Sequence, residues 1–518
     1  MTNPPDCWFD LFGRPLSRRD FVRISRDVAA CIALGALPID ARDAPRFRAD
    51  PFIYGVASGD PVPDGVVLWT RLAPDPGLPR EVAVRWEVAE DERFRRVVQS
   101  GSSPAPAELG HSVHTEVTGL RPARDYWYRF LAGGQVSAVG RTRTAPAHEA
   151  ATDRFRFAFI SCQNYEHGYF TAFQHLAEED LDLVVHLGDY IYERRFTSSA
   201  IVREHESGEV FTLDQYRGRY SLYKSDAALQ AAHAACPWAV TTDDHEVVNN
   251  YAGAIPGAPG GGDFLLRRAA AYQAFYEFMP LRRSSLPSGP AMQIFRRLTF
   301  GRLLDLHVLD TRQYRTDQPC GDGTKPRCAE ALASTQTMMG DAQERWLERN
   351  LRESRAQWNA LANQVMVAQL RRGTPESPTY SMDKWDGYVA ARERLLRVLA
   401  DAPPSNPVVI TGDVHSNWVA DLKINFDDPA SPIVATEFVG TSMTSGGDGF
   451  DGSAAAIQSL NPHVKFFNSR RGYVRADVTR RAWRSDYRVL PYVSRPGAPI
   501  ETGASFVVES GRKGVMRG

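Results

Sequence analysis

The stretch FAFISCQNYEHGYF, residues 157–170, predicts the end of a buried β-strand followed by a polar loop. Phe155, Phe157 and Phe159 recur with the period of two that is typical of a strand. This run stops just before Cys162, and polar residues, a glycine and a helical pattern follow it. A single cysteine is more often an inert core residue than a ligand, so its meaning depends on the other strand ends of the chain.

Three later apolar runs also end in residues that can bind metals. These runs are LDLVVHLG (181–188) before Asp189, PWAVTT (237–242) before Asp243, Asp244 and His245, and PVVITG (407–412) before Asp413 and His415. Asp189 alone would be read as a helix cap and His415 alone as a structural histidine. The carboxyl ends of parallel strands meet at one edge of a sheet, so we expect these side chains to form one polynuclear metal site.

The chain of 518 residues is long enough for more than one domain. Strand-like runs separated by proline, glycine and aspartate turns predict a β-sandwich of immunoglobulin or fibronectin type over residues 46–148. From 149 to 518 strands alternate with helices, which predicts a layered α/β domain. Within that domain we interpret residues 344–361 as a helix with Trp346, Trp358 and Leu361 in its core.

The bulk composition excludes some classes of partner. A net charge of −1 and a pI of about 6.9 give no electrostatic reason to expect binding to nucleic acid or to an anionic membrane. No apolar run reaches the roughly 20 residues that a membrane span needs. A hydrophobic content of 43% is enough for a sizeable core, so the composition indicates a globular protein.

Residues 1–45 resemble a twin-arginine signal peptide rather than a part of the fold. Arg18 and Arg19 precede Phe21 and Val22, and an apolar segment follows at 28–37. An amphipathic first helix is the alternative. The signal predicts the twin-arginine export machinery as a partner and a periplasmic or extracellular location. In such an oxidising compartment Cys320 and Cys328 are close enough in sequence to form a local disulfide.

Seven motifs together resemble the alkaline phosphatase D (PhoD-like) family. They are GVASGDPVPDGVVLWTRL (55–72), SCQNYEHGYFTAF (161–173), HLGDYIYE (186–193), DDHEVVNNYAG (243–253), VLDTRQYR (308–315), WDGY (385–388) and GDVHSNW (412–418). The strand-end pattern is also similar to that of the wider calcineurin-like metallophosphoesterases. The resemblance implies an α/β fold: a metallophosphoesterase αββα sandwich preceded by the fibronectin-like β-sandwich.

The resemblance also implies a metal site that contains Fe3+ and Ca2+. The iron would be held by Cys162, Asp189 and Tyr192, since ferric iron suits thiolate, phenolate and carboxylate donors. The calcium ligands would be a bridging Asp189 together with Asp244 or Asn249, Asp413 and His415. The division of these last four between the two metals stays open.

The implied activity is that of a secreted alkaline phosphatase and phosphodiesterase, in which a metal-bound hydroxide attacks the phosphate ester in line. Asp189 and His245 would be catalytic, with His245 protonating or stabilising the leaving group. A role for His245 as a partner of Asp189 or Asp244 is the alternative.

Several arginines are candidates for binding the substrate phosphate, because a guanidinium matches phosphate geometry. These are Arg312, Arg315 and Arg470 or its neighbour Arg471. Ion pairs within the protein are an equally good interpretation of each.

Two other functions compete with this one. A phospholipase D-type phosphodiesterase would use the same site on lipid head groups. A non-catalytic metal-binding protein of the cell envelope would use the β-sandwich instead. Intact Asp189, Asp413 and His415 argue against the second alternative, because a site that has lost its activity usually loses ligands first.

Overall fold

A computed structural model describes residues 46–197, 201–257, 263–401, 404–450 and 455–518, with two short stretches at 8–9 and 15–16. These stretches pair as β1 (Trp8–Phe9) and β2 (Pro15–Leu16). The arginine pair and the apolar segment of the predicted signal lie outside the described residues. The signal therefore stays a prediction.

A five-stranded antiparallel sheet forms one layer of the N-terminal region, in the order β10–β8–β5–β6 with β9 paired to β8. Its strands are β5 (Glu81–Ala89), β6 (Val97–Pro106), β8 (Asp125–Ala132), β9 (Gln135–Val136) and β10 (Gly140–Arg143). Along β8 the buried residues Tyr126, Tyr128 and Phe130 alternate with half-exposed ones. This sheet therefore has one apolar face, which packs on a second sheet.

The second sheet has ten strands, in the order β27–β26–β25–β24–β11–β12–β13–β3–β4–β7. Its strands are β3 (Val56–Val62), β4 (Gly65–Arg71), β7 (Ser112–Thr118), β11 (Arg154–Ile160), β12 (Leu183–His186), β13 (Trp238–Val240), β24 (Gly472–Thr479), β25 (Ala482–Val489), β26 (Glu501–Glu509) and β27 (Met516–Arg517). Strands β11, β12, β13 and β3 run parallel to one another. Because β3 pairs with β13 through Gly59 and Trp238, the N-terminal β-sandwich shares this sheet with the α/β region.

Strand β4 shows how the two regions are joined. Val66 and Leu68 contact the core of the β-sandwich, whereas Trp69 faces the helices on the other side of the sheet. The Trp69 Nε1–H donates a hydrogen bond to the Glu277 carbonyl oxygen at 3.0 Å. The strand is therefore buried on both faces.

A seven-stranded sheet lies opposite the ten-stranded one, in the order β14–β15–β17–β20–β22–β21–β23. Its strands are β14 (Arg296–Phe300), β15 (Leu304–Val308), β17 (Trp358–Asn363), β20 (Pro407–Thr411), β21 (Asn417–Lys423), β22 (Ile433–Val439) and β23 (Val464–Asn468). A small sheet contains β16 (Thr324–Lys325), β18 (Arg372–Gly373) and β19 (Pro378–Ser381). The helical interpretation of Trp358 and Leu361 was wrong, because both lie in the central strand β17.

Helices cover the outer faces of the two large sheets. The helices are α1 (Thr171–Glu178), α2 (Leu213–Lys224), α3 (Ala227–Ala235), α4 (Phe264–Phe278), α5 (Gly340–Glu353), α6 (Val389–Asp401) and α7 (Ala455–Leu460). The first four pack on the ten-stranded sheet, and α5 and α6 pack on the seven-stranded sheet. Within the described ranges, no helix combines the length and the apolar character required to cross a membrane.

Aromatic side chains fill the space between the two large sheets. Phe157 packs edge to face against Trp483, with 5.4 Å between the ring centroids. The ring centroids of Phe155 and Phe300, which belongs to the opposite sheet, are 4.1 Å apart. Trp358 contacts Trp483 across the same layer at 6.0 Å. Helices, two sheets and helices thus follow one another, and the predicted αββα sandwich with an N-terminal β-sandwich is confirmed. The predicted disulfide between Cys320 and Cys328 is also present.

Candidate metal centre

The predicted ligands lie at the carboxyl ends of strands from both large sheets. Cys162, Asp189 and Asp244 follow β11, β12 and β13 of the ten-stranded sheet, and Asp413 and His415 follow β20 of the seven-stranded sheet. A backbone hydrogen bond of 3.1 Å from the Cys162 N–H to the Gly188 oxygen joins the first two loops. The site is therefore built where the edges of two sheets face each other.

Four of these residues adopt a left-handed backbone conformation that side chains other than glycine rarely take. The φ angles are 59° at Cys162, 58° at Asp189, 65° at Asp413 and 52° at His415. Each such residue costs roughly 1–3 kcal/mol, so the surrounding structure must compensate for it. Sharp bends at these positions bring the side chains of separate strands into one space.

The first ligand group consists of Cys162, Asp189 and His415, whose donor atoms all lie within 4.8 Å of one another. Tyr192 joins this group, since its hydroxyl lies 3.0 Å from Asp189 Oδ2 and 3.2 Å from His415 Nε2. Ser445 Oγ donates a hydrogen bond to the same phenol oxygen at 2.6 Å. His415, whose metal the resemblance left open, thus lies beside the predicted iron ligands.

The second ligand group consists of Asp189, Asp244 and His245, again within 4.8 Å of one another. Asp189 belongs to both groups. Asp244 Oδ2 accepts a hydrogen bond of 2.7 Å from the Asn250 N–H, whereas its Oδ1 is buried and has no hydrogen-bond partner. A buried carboxylate oxygen without a donor is costly, and a cation would satisfy it.

Two further predicted ligands lie beside these groups. Asn249 is half-buried next to the second group, and its backbone N–H donates to Glu193 Oε1 at 3.1 Å. Asp413 forms ion pairs with Lys384 and, at 3.4 Å, with Arg312 Nη2.

The pKa shifts of the side chains in the first ligand group are compatible with binding of a cation. Burial raises the pKa values of the Cys162 thiol, the Asp189 carboxyl and the Tyr192 phenol, and neighbouring acids raise them further. A cation reverses these shifts, because it stabilises the anionic form of each donor. Burial, assisted by Arg471, lowers the pKa of His415 to about 3, which leaves the neutral imidazole that metals bind. The donor set is therefore suited to metal ions.

His245 is oriented by a carboxylate that the sequence analysis did not assign. Its Nδ1 lies 2.6 Å from Glu193 Oε2, which leaves Nε2 for another partner. Burial lowers the pKa of His245, but Glu193 and Asp189 outweigh it and raise the pKa to about 10. The motif GDYIYE contains Glu193, so the signal was present, yet nothing in the motif indicated an imidazole partner.

Glu246 is a second functional side chain that the sequence analysis missed. Its carboxylate accepts hydrogen bonds from the backbone N–H groups of Asp189, Tyr190 and Asp243 at 3.1, 2.5 and 2.7 Å. These amides belong to the loops after β12 and β13. Glu246 thus fixes the two loops that carry Asp189 and Asp244.

The arginines predicted to bind phosphate all contact protein acceptors. Arg312 is fully buried. Its Nε donates a hydrogen bond to Asp243, its Nη1 donates to Asp383 at 2.9 Å, and its Nη2 donates to Asp413. Arg315 Nη2 also donates to Asp383, at 2.7 Å, while Arg470 pairs with Glu501 nearer the surface. Arg471 donates to carbonyl oxygens, among them that of His415. A substrate role for these arginines stays a prediction.

The fold and the site together define a metallophosphoesterase. The family described as PhoD-like phosphatase matches residues 157–487, and its N-terminal domain matches residues 39–146. The chain belongs to the PhoD-like phosphatase family, which is metal-dependent, and it is a phosphoric ester hydrolase.

Two known proteins are similar to the chain over most of its length. The alkaline phosphatase D of Bacillus subtilis (strain 168) is 51% identical over 96% of this chain and 89% of its own. A solved structure described as PhoD has a TM-score of 0.89 and 52% identity, and the match covers 92% of this chain and 93% of that one. These similarities do not favour the phospholipase D-type alternative.

We expect Asp189→Asn to deplete the metal bound at both ligand groups, because Asp189 belongs to both. Phosphate ester hydrolysis should fall by more than about a hundredfold as a consequence. Elemental analysis of the purified protein measures the metal content. Asp421→Asn is the matched control, since Asp421 is also buried but accepts the Val515 N–H and belongs to neither group. An Asp189→Asn protein with full metal content and full turnover would contradict the assignment.

Proposed function

We propose that the chain hydrolyses phosphate mono- and diesters at a dinuclear centre formed by the two ligand groups, in which His245 acts as a proton donor and not as a metal ligand. The observation that carries this proposal is the position of Asp189, whose carboxylate lies within reach of both groups. A shared carboxylate is the arrangement expected for two cations that act on one phosphoryl group.

The donor chemistry supports different metals in the two groups. Cys162, Asp189 and Tyr192 would hold Fe3+, with His415 beside them, since thiolate, phenolate and imidazole suit a transition metal. Asp189, Asp244, Asn249 and Asp413 would supply the carboxylate and amide oxygens that Ca2+ prefers. When bound, the metal ions would supply an activated water as nucleophile and charge stabilisation for the phosphoryl group.

The protein's own contribution to leaving-group departure would come from His245. Glu193 holds the Nδ1 side of the ring, so the other nitrogen can present a proton to the ester oxygen. The ring also lies 4.1 Å from the Tyr192 ring, which limits its rotation. A fixed imidazolium beside the shared carboxylate is suited to protonate an alkoxide.

We expect His245→Asn to lower the hydrolysis of alkyl phosphates by roughly a hundredfold to ten-thousandfold, the usual contribution of a general acid. Aryl esters with good leaving groups such as p-nitrophenolate should be affected much less, since they depart without protonation. Steady-state rates over a series of leaving groups measure this difference. His148→Asn, at an exposed position, is the control. An equal loss for all leaving groups would exclude the proton-donor role.

The proposed iron ligands predict a coloured enzyme, because phenolate and thiolate donate charge to ferric iron in the visible range. Tyr192→Phe should bleach or shift the absorption band even where iron remains bound. Cys162→Ser should change the spectrum in a different way, since an oxygen donor replaces sulfur. Calcium chelation should abolish activity and leave most of the colour.

Two matched variants control this experiment. Tyr190→Phe removes a neighbouring buried phenol whose oxygen lies 2.8 Å from His233 Nε2, and Cys236→Ser removes a second buried cysteine that, within the described ranges, is also outside the disulfide. Both should keep the absorption band. A colourless protein without iron that is fully active with zinc or magnesium would refute the proposed metals.

We also propose export by the twin-arginine pathway to the periplasm or the exterior. The support is the Arg18–Arg19 motif and the Cys320–Cys328 disulfide, which suits an oxidising compartment. Replacing Arg18 and Arg19 by lysine should leave folded, active enzyme in the cytoplasm, as measured by fractionation. Unchanged export of the double variant would disprove the route.

A further inference from the structure

The position of Lys384 is fixed by buried neighbours on both sides. On one side Asp383 accepts hydrogen bonds from Arg312 Nη1 at 2.9 Å, Arg315 Nη2 at 2.7 Å and Gln318 Nε2 at 2.9 Å. On the other side Trp385 is fully buried against the core beneath α5 and α6. The backbone at residue 384 is therefore held rigidly while its long side chain extends from it.

The Lys384 ammonium lies at the edge of the candidate metal centre. It forms an ion pair with Asp413 Oδ2, a predicted metal ligand, and its side chain is 18% exposed. An ammonium group has three donors on a flexible stem, whereas this ion pair uses one of them. Lys384 thus combines a contact to the centre with access from solvent.

The neighbouring side chains of Arg312 and Arg315 are enclosed and bind protein carboxylates. The three nitrogens of Arg312 bind Asp243, Asp383 and Asp413, and its side chain has no exposed surface. The side chain of Arg315 is also fully enclosed. Both arginines hold protein carboxylates in place, and through Asp383 they support the backbone that carries Lys384.

We propose that Lys384 binds the phosphoryl group of the substrate and favours monoesters over diesters. A phosphate ester must enter a space that already contains the carboxylates of Asp189, Asp244 and Asp413. The ammonium group of Lys384, at the edge of that space, attracts the phosphoryl oxygens as a point charge. A monoester dianion carries about twice the charge of a diester monoanion, so it gains more from the ammonium.

This inference rests on the proposed function and narrows it to a substrate class. It is tested with Lys384→Met and Lys384→Gln, which remove the charge, and with Lys384→Arg, which keeps it. The measurements are kcat and KM for p-nitrophenyl phosphate and bis-p-nitrophenyl phosphate, the inhibition constant of inorganic phosphate, and the metal content of each protein.

We expect the two neutral variants to raise the monoester KM and the inhibition constant of phosphate by roughly tenfold to a hundredfold, the range for a lost charge-assisted hydrogen bond. The diester KM should rise less, the metal content should stay at the wild-type level, and Lys384→Arg should recover part of the loss. Lys423→Met is the control, since Lys423 Nζ binds the carbonyl oxygens of Asp428 and Pro429 at an exposed site.

Two results would overturn the inference. One is an unchanged monoester KM and phosphate inhibition in both neutral variants. The other is an equal loss for both esters with a parallel loss of metal, which would reduce Lys384 to a support for Asp413. A metal-loaded wild-type enzyme that hydrolyses neither ester would instead refute the proposed function, so the two failures are distinguishable.

Discussion

The buried guanidinium of Arg312 is the interaction on which the candidate centre depends. It joins Asp243, which follows β13 of the ten-stranded sheet, to Asp413, which follows β20 of the seven-stranded sheet, and it also binds Asp383 in the loop between β19 and α6. Several carboxylates in a water-poor space repel one another and would otherwise take up protons. Burial and the neighbouring Asp244 raise the pKa of Asp243 to about 6, and Arg312 limits that rise. One cation thus holds two sheet edges and several acids together.

Local patterns in the sequence predicted a β-sandwich followed by an α/β domain, because strand runs alone and strands alternating with helices look different, whereas the αββα layering was implied by the resemblance to the PhoD-like family. The sequence did not predict that β3, β4 and β7 belong to the same sheet as β11, since pairing between distant strands has no local signal. Trp358 shows a second limit of predicting secondary structure from the sequence. All six residues of WNALAN are buried, so its two asparagines and its apolar residues leave no period of two, and the stretch was taken for the continuation of the helix before it.

The sequence predicted those residues of the candidate site whose type alone indicates metal binding. Cys162, Asp189 and His415 follow separate strands and come together as expected. Arg312 was harder to interpret, because a guanidinium has the same geometry for a substrate phosphate as for a protein carboxylate. Glu246 could not be assigned from the sequence, because its partners are backbone amides, which every residue except proline supplies.

The shared ten-stranded sheet determines when the protein can finish folding. Strand β11, which carries Cys162 at its end, pairs with β12 on one side and with β24 (Gly472–Thr479) on the other. Cys162 of the first ligand group therefore has both neighbouring strands in place only after the ribosome has synthesised nearly the whole chain. Contacts between such distant segments slow folding, because a long loop must close before any pairing is gained. Assembly of the centre is thus a late, post-translational event rather than one that proceeds domain by domain.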